Sequence, residues 1–162
     1  MKAEFEKMIS ENRSLILRIC RFYNAWNEKE AIEDLYQEIV LNLWEGYPKF
    51  INNQRCKPST WLYRVALNTA LLQKRNERKI TYIPLNNQTL SETCSDDNDL
   101  QINVLYRLIE KLNSEDKTII YLYLDDLSHK EIAEILGISE TNVGTKIHRI
   151  KSKLKKLNKT DE

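Results

Sequence analysis

The stretch LSHKEIAEILGISETNV, residues 127–143, carries the signals for two short helices and a tight turn between them. Ser128 and Glu131 stand three residues apart at the first start, as in a capping box. Gly137 can end that helix in the left-handed conformation, and Ser139 can cap the helix that follows. Two helices joined by so short a turn predict a helix-turn-helix.

The second of these helices separates an apolar stripe from a polar and basic face. The stripe recurs at helical spacing: Val143, Ile147, Ile150, Leu154 and Leu157. The side chains that can bond base edges or phosphates lie in the half that enters the major groove: Thr141, Asn142, Thr145, Lys146 and Arg149. Lys153 and Lys156 follow and are expected to contact phosphate. The segment predicts DNA binding, and the alternative is an ordinary helical hairpin with a polar face.

Gly144 lies inside this second helix, where a glycine costs about 1 kcal/mol relative to alanine. Two interpretations stay open. The glycine allows the helix backbone to approach DNA closely, or it is a cost that the fold tolerates.

The composition favours a helical, globular chain. Its 162 residues include only three glycines and three prolines, too few for a sandwich, a barrel or a Gly-rich nucleotide loop. No apolar run approaches the ~20 residues that span a bilayer, so no membrane insertion is expected. Cys20, Cys56 and Cys94 are odd in number and widely spaced, which indicates reduced thiols in the cytoplasm. No metal, cofactor or catalytic constellation is predicted, so the chain does not read as an enzyme.

The net charge of +1 conceals a strong segregation of acids and bases. Residues 28–45 contain six acids and a single base, Lys29. Residues 141–160 contain seven bases and no acid. A basic block of that kind often contacts a polyanion, which agrees with the DNA-binding prediction.

Apolar periodicity divides the chain into two small helical domains. Predicted helices cover Glu4–Tyr23, Glu28–Trp44 and Trp61 to about Arg78, with a loop from Pro48 to Ser59. Residues 83–99 lose the periodicity, carry four acids and lack Lys and Arg, which is typical of an acidic flexible linker. Periodicity resumes near Leu100. The prediction is therefore an all-α protein with domains over residues 1–82 and 102–162 and a linker over 83–101.

An acidic face is predicted on the second helix. Asp34 and Glu38, four residues apart, share it with Glu30, Gln37 and Glu45, and Leu41 falls in its middle. An apolar residue inside an acidic surface suggests a docking site for a basic protein surface. The alternative is a solvated face with one exposed leucine.

The helix that begins near Trp61 interleaves aromatic with basic and amide side chains. Such interleaving fits base stacking combined with phosphate contact. Trp61 itself is expected to pack mostly in the core. The nucleic-acid candidates lie on a different side of the helix: Arg64, Asn68, Arg75 and Arg78.

Three segments in this order resemble the extracytoplasmic-function class of bacterial RNA polymerase sigma factors: DLYQE at 34–38, WLYRVALN at 61–68 and LSHKEIAEILGIS at 127–139. The resemblance implies roles for matching positions. Asp34, Gln37, Glu38 and Leu41 would dock on the clamp helices of the largest polymerase subunit. Arg64 and Asn68 would read the minus-ten element, and the helix after Gly137 would read the minus-thirty-five element.

The resemblance also implies a flipped-base pocket in the loop from about Phe50 to Ser59, and a linker that threads polymerase channels otherwise used by RNA. It further implies an anti-sigma factor as a partner. The competing reading of the whole chain is an autonomous helix-turn-helix regulator whose N-terminal domain oligomerises or senses a ligand. Core polymerase and promoter DNA, tested separately, distinguish the two.

Overall fold

The computed structural model describes residues 1–24, 29–79 and 97–160, and side chains within 1–24, 29–76 and 101–160. These parts of the chain form helices and no strands, which confirms the predicted all-α class. The helices are α1 Lys2–Glu11, α2 Arg13–Tyr23, α3 Lys29–Asn53, α4 Pro58–Lys79, α5 Asp97–Glu110, α6 Ser114–Leu124, α7 His129–Leu136 and α8 Glu140–Thr160. They fall into two compact units, the first formed by α1–α4 and the second mainly by α5–α8.

The first predicted helix, Glu4–Tyr23, is wrong as a single element because the chain breaks at Asn12. The Asn12 side-chain amide donates to the Met8 carbonyl at 2.8 Å, and its backbone adopts φ −110° and ψ 13°. Asparagine offers the backbone such local hydrogen bonds in competition with a continuous helix. The break lets α1 and α2 pack as separate elements.

The predicted end of the second helix at Trp44, before Pro48, is also wrong, because α3 continues to Asn53. An internal proline costs a helix about 3 kcal/mol. Packing on both sides of the proline favours a continuous helix: Tyr47 before it is buried, and the Phe50 ring after it stacks on Trp61 with centroids 4.4 Å apart. The connection is therefore residues 54–57, much shorter than predicted.

The start of α4 lies at Pro58, three residues before the predicted start at Trp61. Proline suits the first helical position, because its fixed φ is already helical and its missing N–H would be unbonded there. Residues 50–53 and 58–59 of the predicted flipped-base loop are thus helical.

The first unit has an apolar core, and a polar contact joins its two long helices. Six aliphatic side chains from α2, α3 and α4 are fully buried: Ile16, Ile19, Leu35, Ile39, Leu43 and Leu62. The Asn42 amide of α3 donates to the Thr69 hydroxyl of α4 at 2.9 Å. Cys20 is buried beside this core, and burial raises the pKa of its thiol from 9.0 to about 12. The thiol is therefore neutral at physiological pH.

The second unit packs α5 and α6 against α8. Asn113 caps α6 by accepting the Asp116 N–H at 2.8 Å. The predicted linker of residues 83–101 falls outside the described residues up to residue 96, while residues 97–101 already belong to α5. Acids near a helix N-terminus are favoured by the helix dipole, so an acidic run did not exclude a helix there.

Candidate nucleic-acid interface and docking surface

The helix-turn-helix is formed by the local contacts that its sequence predicts. Ser128 Oγ accepts the Glu131 N–H at 3.1 Å and donates to the Glu131 carboxylate at 3.2 Å. Gly137 closes α7 in the left-handed conformation, with φ 72° and ψ 32°. Ser139 Oγ then accepts the Asn142 N–H at 3.1 Å and caps α8. The predicted motif is confirmed.

Helix α8 presents its polar face outward while the predicted apolar stripe faces the unit. Val143, Ile147 and Ile150 are buried, and the last two members of the stripe, Leu154 and Leu157, are half-buried. Most of the predicted DNA-contacting side chains are exposed: Thr141, Asn142, Thr145, Arg149, Lys153 and Lys156. Lys146 is half-buried. The helix thus offers hydroxyl, amide, guanidinium and ammonium groups along one accessible side.

Two of these lysines form ion pairs with α6, which the sequence did not predict. Lys146 pairs with Glu115, and Lys153 Nζ lies 3.0 Å from Asp116 Oδ2. The partners are 31 and 37 residues apart along the chain, so no local rule connects them. The α6–α8 groove has a volume of about 520 Å³ and is lined by Asn113, Asp116, Lys146, His148, Arg149, Ser152, Lys153 and Lys156.

Gly144 has room for a side chain within the unit. A Cβ atom at this position would meet the His129 ring at 3.6 Å from Nδ1, an ordinary van der Waals distance. Packing inside the protein therefore does not require a glycine here. Of the two interpretations of Gly144, neither draws support from a steric need of the fold.

The acidic face of α3 lies at the surface of the first unit. Asp34, Gln37 and Glu38 are exposed, and Leu41 is 54% exposed. A groove of about 450 Å³ adjoins this face, between α1 and α3. It is lined mainly by apolar atoms of Lys2, Phe5, Glu6, Tyr36, Gln37, Val40, Leu41 and Trp44.

Sequence reasoning missed the part of this groove that α1 contributes. Trp44 is 40% exposed, and its ring lies edge-on to Phe5 with centroids 5.0 Å apart. The available signal was the spacing of Leu41 and Trp44, which places them one turn apart beside the acids. The contribution of Phe5 required the tertiary fold.

Helix α4 carries the nucleic-acid candidates of the first unit at helical spacing. Residues 64, 68, 75 and 78 recur along one side, and Asn68 and Arg75 are exposed. The Arg78 side chain lies outside the described part of the chain. Trp61, predicted to be mostly core, is half-buried and stacked on Phe50.

The described residues contain no group of three or more His, Cys, Asp or Glu side chains that could hold a metal ion. Among the described helices, none is both long and apolar enough to cross a membrane.

Comparison with protein families decides between the readings of the chain. Residues 8–80 match the model described as Sigma-70 region 2, and residues 102–154 match Sigma-70, region 4. The chain belongs to the sigma-70 family of RNA polymerase sigma factors. Both regions occur in the order that the sequence motifs predict. The sigma factor therefore carries its helix-turn-helix within region 4 and its acidic α3 and basic α4 within region 2.

Relatives identify the class within this family, and a solved structure shares the fold. The ECF RNA polymerase sigma factor SigW of Bacillus subtilis is 28% identical over 94% of this chain and 87% of its own. RNA polymerase sigma factor YlaC of the same organism is 29% identical over 78% of this chain and 77% of its own. The fold is shared with the sigma factor RpoE, solved with the anti-sigma factor NepR from Bartonella quintana: TM-score 0.69, 17% identity, 98% of this chain and 99% of that one. The chain is an alternative sigma factor of the extracytoplasmic-function class that directs promoter recognition.

Proposed function

We propose that this sigma factor docks on core RNA polymerase through α3 and contacts the two promoter elements through α4 and α8. It acts without catalysing a reaction, by holding polymerase at a promoter and stabilising the opened strand. The observation that carries the proposal is the exposed polar and basic side of α8, presented by a capped helix-turn-helix. We propose region 2 over residues 1–82, a connecting segment over residues 83–101, of which residues 97–101 begin α5, and region 4 over residues 102–162.

The docking surface that we propose consists of Asp34, Gln37, Glu38 and Leu41. Its exposed carboxylates would meet basic side chains on the clamp helices of the largest polymerase subunit. Leu41 and the adjoining groove offer an apolar pocket of about 450 Å³ for an anchoring side chain. Acidic side chains around an apolar centre are complementary to a basic amphipathic helix, whose basic side chains can pair with the acids while an apolar side chain enters the groove.

The minus-ten contacts that we propose come from α4: Arg64, Asn68, Arg75 and Arg78. Asn68 can pair with a base edge through its amide, and the arginines can bond bases or backbone phosphates. Residues 54–57, which join α3 to α4, adjoin the start of α4 and would lie beside the opened strand. Thr141, Asn142, Thr145, Lys146, Arg149, Lys153 and Lys156 would contact the minus-thirty-five element.

We also propose an anti-sigma factor as a partner and the cytoplasm as the site of action. The structurally similar RpoE was solved in complex with NepR, which supports a partner of that kind. An anti-sigma factor that covered the α3 surface would block docking on polymerase.

Charge reversal at Glu38 tests the docking surface. We expect Glu38→Lys to weaken binding to core polymerase at least tenfold, because it sets a positive charge against a basic partner. Glu11→Lys is the matched control, since Glu11 is an exposed acid of the same unit on α1. Titration of core polymerase with fluorescently labelled sigma factor measures the affinity. Equal affinity of wild type and Glu38→Lys, with both folded, would remove α3 from the interface.

Arg149 and Lys156 test whether α8 reads bases. Both are exposed, so truncation should leave the fold nearly intact. If Arg149 makes a bidentate base contact, Arg149→Ala should cost ~1–3 kcal/mol and relax the preference at one base position. Lys156→Ala should weaken all sequences alike and lower the salt slope by about one unit. Holoenzyme binding to a panel of minus-thirty-five variants at several salt concentrations separates these outcomes. Sequence-blind losses for both would show that Arg149 does not read bases.

A further inference from the structure

Two cations on the DNA-facing side of α8 are paired with carboxylates of the same unit. Glu115 and Asp116 stand side by side in the first turn of α6. Glu115 pairs with Lys146, and Asp116 Oδ2 lies 3.0 Å from Lys153 Nζ. Within residues 101–160, Arg149 and Lys156 line the same groove and form no such pair. The acids therefore pair with two of the four lysine and arginine side chains that line the groove.

Each of the two ion pairs has one member that is largely shielded from water. The Lys146 side chain is 27% exposed and its partner 68%, while the Asp116 side chain is 17% exposed and its partner 55%. Fully solvated ion pairs are weak because water screens them, and partial burial strengthens the attraction. Each pair is therefore screened less than a fully solvated one, while its more exposed member stays accessible from solvent.

The stability of α6 does not by itself require these lysines. Asn113 already caps the helix, and an acid in the first turn interacts favourably with the helix dipole without a cation. The pairs instead hold two lysine side chains that could otherwise bind a polyanion. Since Asp116 lines the groove itself, a phosphate bound to Lys153 would also lie near its negative charge.

We propose that Glu115 and Asp116 compete with promoter phosphates for Lys146 and Lys153, and so lower the DNA affinity of α8. The inference rests on the proposed function, in which α8 binds promoter DNA. On binding, each lysine exchanges a carboxylate for a phosphate, and the released carboxylate regains water and counterions. Each of the two lysines then contributes less to affinity and to its salt dependence than an unpaired lysine would.

Removal of the two carboxylates tests the proposal on reconstituted holoenzyme. The variants are Glu115→Gln, Asp116→Asn and the double variant, and the probe is a promoter fragment selected by wild-type holoenzyme from genomic DNA. We expect each single variant to bind about threefold to fivefold more tightly, and the double variant roughly tenfold, as for the loss of modest ion pairs. The plot of log affinity against log salt should steepen by up to ~0.9 for each freed lysine.

Glu110→Gln is the matched control. Glu110 lies in the same unit and pairs with Lys117 at 3.3 Å, with neither residue on α8. The Glu110→Gln variant loses the same charge and one ion pair, so its affinity for DNA should stay within twofold of that of the wild type. A gain equal to that of Asp116→Asn would reduce the effect to net charge and overturn the proposal.

A double-mutant cycle assigns the gain to the pair. In a Lys153→Ala background, Asp116→Asn should no longer tighten binding. Persistence of the gain there, or unchanged or weaker binding of Glu115→Gln and Asp116→Asn in folded protein, would overturn the proposal. Circular dichroism checks the fold, and the exposed Glu115 gives a variant that should keep it. If Arg149→Ala and Lys156→Ala also leave DNA binding unchanged, the failure lies in the proposed function instead.

Discussion

At Gly144, a single hydrogen atom takes the place of a side chain near the start of α8, the helix that we propose binds DNA. The nearest side-chain atom to a Cβ there would be His129 Nδ1, at 3.6 Å. Such a contact is neither a clash nor a gap, so the fold gains nothing from the glycine. Glycine therefore destabilises α8 relative to alanine, and contacts within the protein do not compensate for this. Close approach of DNA to the backbone at Gly144 is the remaining reason for a glycine there.

We expect Gly144→Ala to raise the free energy of unfolding of the second unit by about 1 kcal/mol, because alanine is the better helix former. Urea unfolding followed by circular dichroism measures this. If Gly144→Ala instead lowers the free energy of unfolding, the position does not have room for a Cβ atom. DNA binding by the same variant then decides between the two interpretations: a loss of affinity indicates close approach of the backbone to DNA, and unchanged affinity indicates a tolerated cost.

Residue roles that depend on a few neighbours in sequence could be predicted. Ser128, Gly137 and Ser139 act within three or four residues of themselves, and their caps and turn appear as expected. The pairs of Lys146 and Lys153 with α6 could not, because they join helices that only the tertiary fold brings together. The Phe5 contribution to the α3 groove was hidden for the same reason.

Helix boundaries show where breaker residues mislead. Asn12 looked compatible with a continuous helix, yet its side chain bonds back to Met8 and divides α1 from α2. Pro48 looked like a helix end, yet α3 continues because Tyr47 and Phe50 hold its final turns. Local propensity competes with burial at each of these sites, and the sequence does not reveal how much a given turn will bury. Helix type and apolar faces were predictable, while the break at Asn12 and the continuation of α3 through Pro48 were not.

Pro48 offers a direct test of this balance. We expect Pro48→Ala to stabilise the first unit by about 1–3 kcal/mol, because it restores a backbone N–H donor inside α3 and removes a steric conflict. Pro58→Ala is the matched control, since Pro58 occupies the first position of α4, where proline is favoured. It should be neutral or destabilising. If Pro48→Ala destabilises the unit in urea unfolding, α3 does not run through this position as a helix.

Across the whole molecule, opposite charges are assigned to different surfaces. The acids concentrate on α3 in the first unit and the bases on α8 in the second, although the chain as a whole is nearly neutral. We propose that the acidic surface binds a basic protein surface and that the basic surface binds a polyanion, as the proposed sigma-factor function requires. The segregation of charge between the two units could be predicted from the sequence, because it does not depend on how the helices pack.

Dependence on core polymerase tests the sigma-factor function most directly. Promoter fragments selected from genomic DNA are mixed with the chain alone, with core RNA polymerase alone and with both, and binding and transcript starts are measured. We expect specific DNA binding and initiation only when the chain and core polymerase are present together. Glu38→Lys should reduce both the binding and the initiation. Tight, specific binding by the chain alone, unchanged by core polymerase and with no initiation, would show an autonomous regulator and contradict the sigma-factor function.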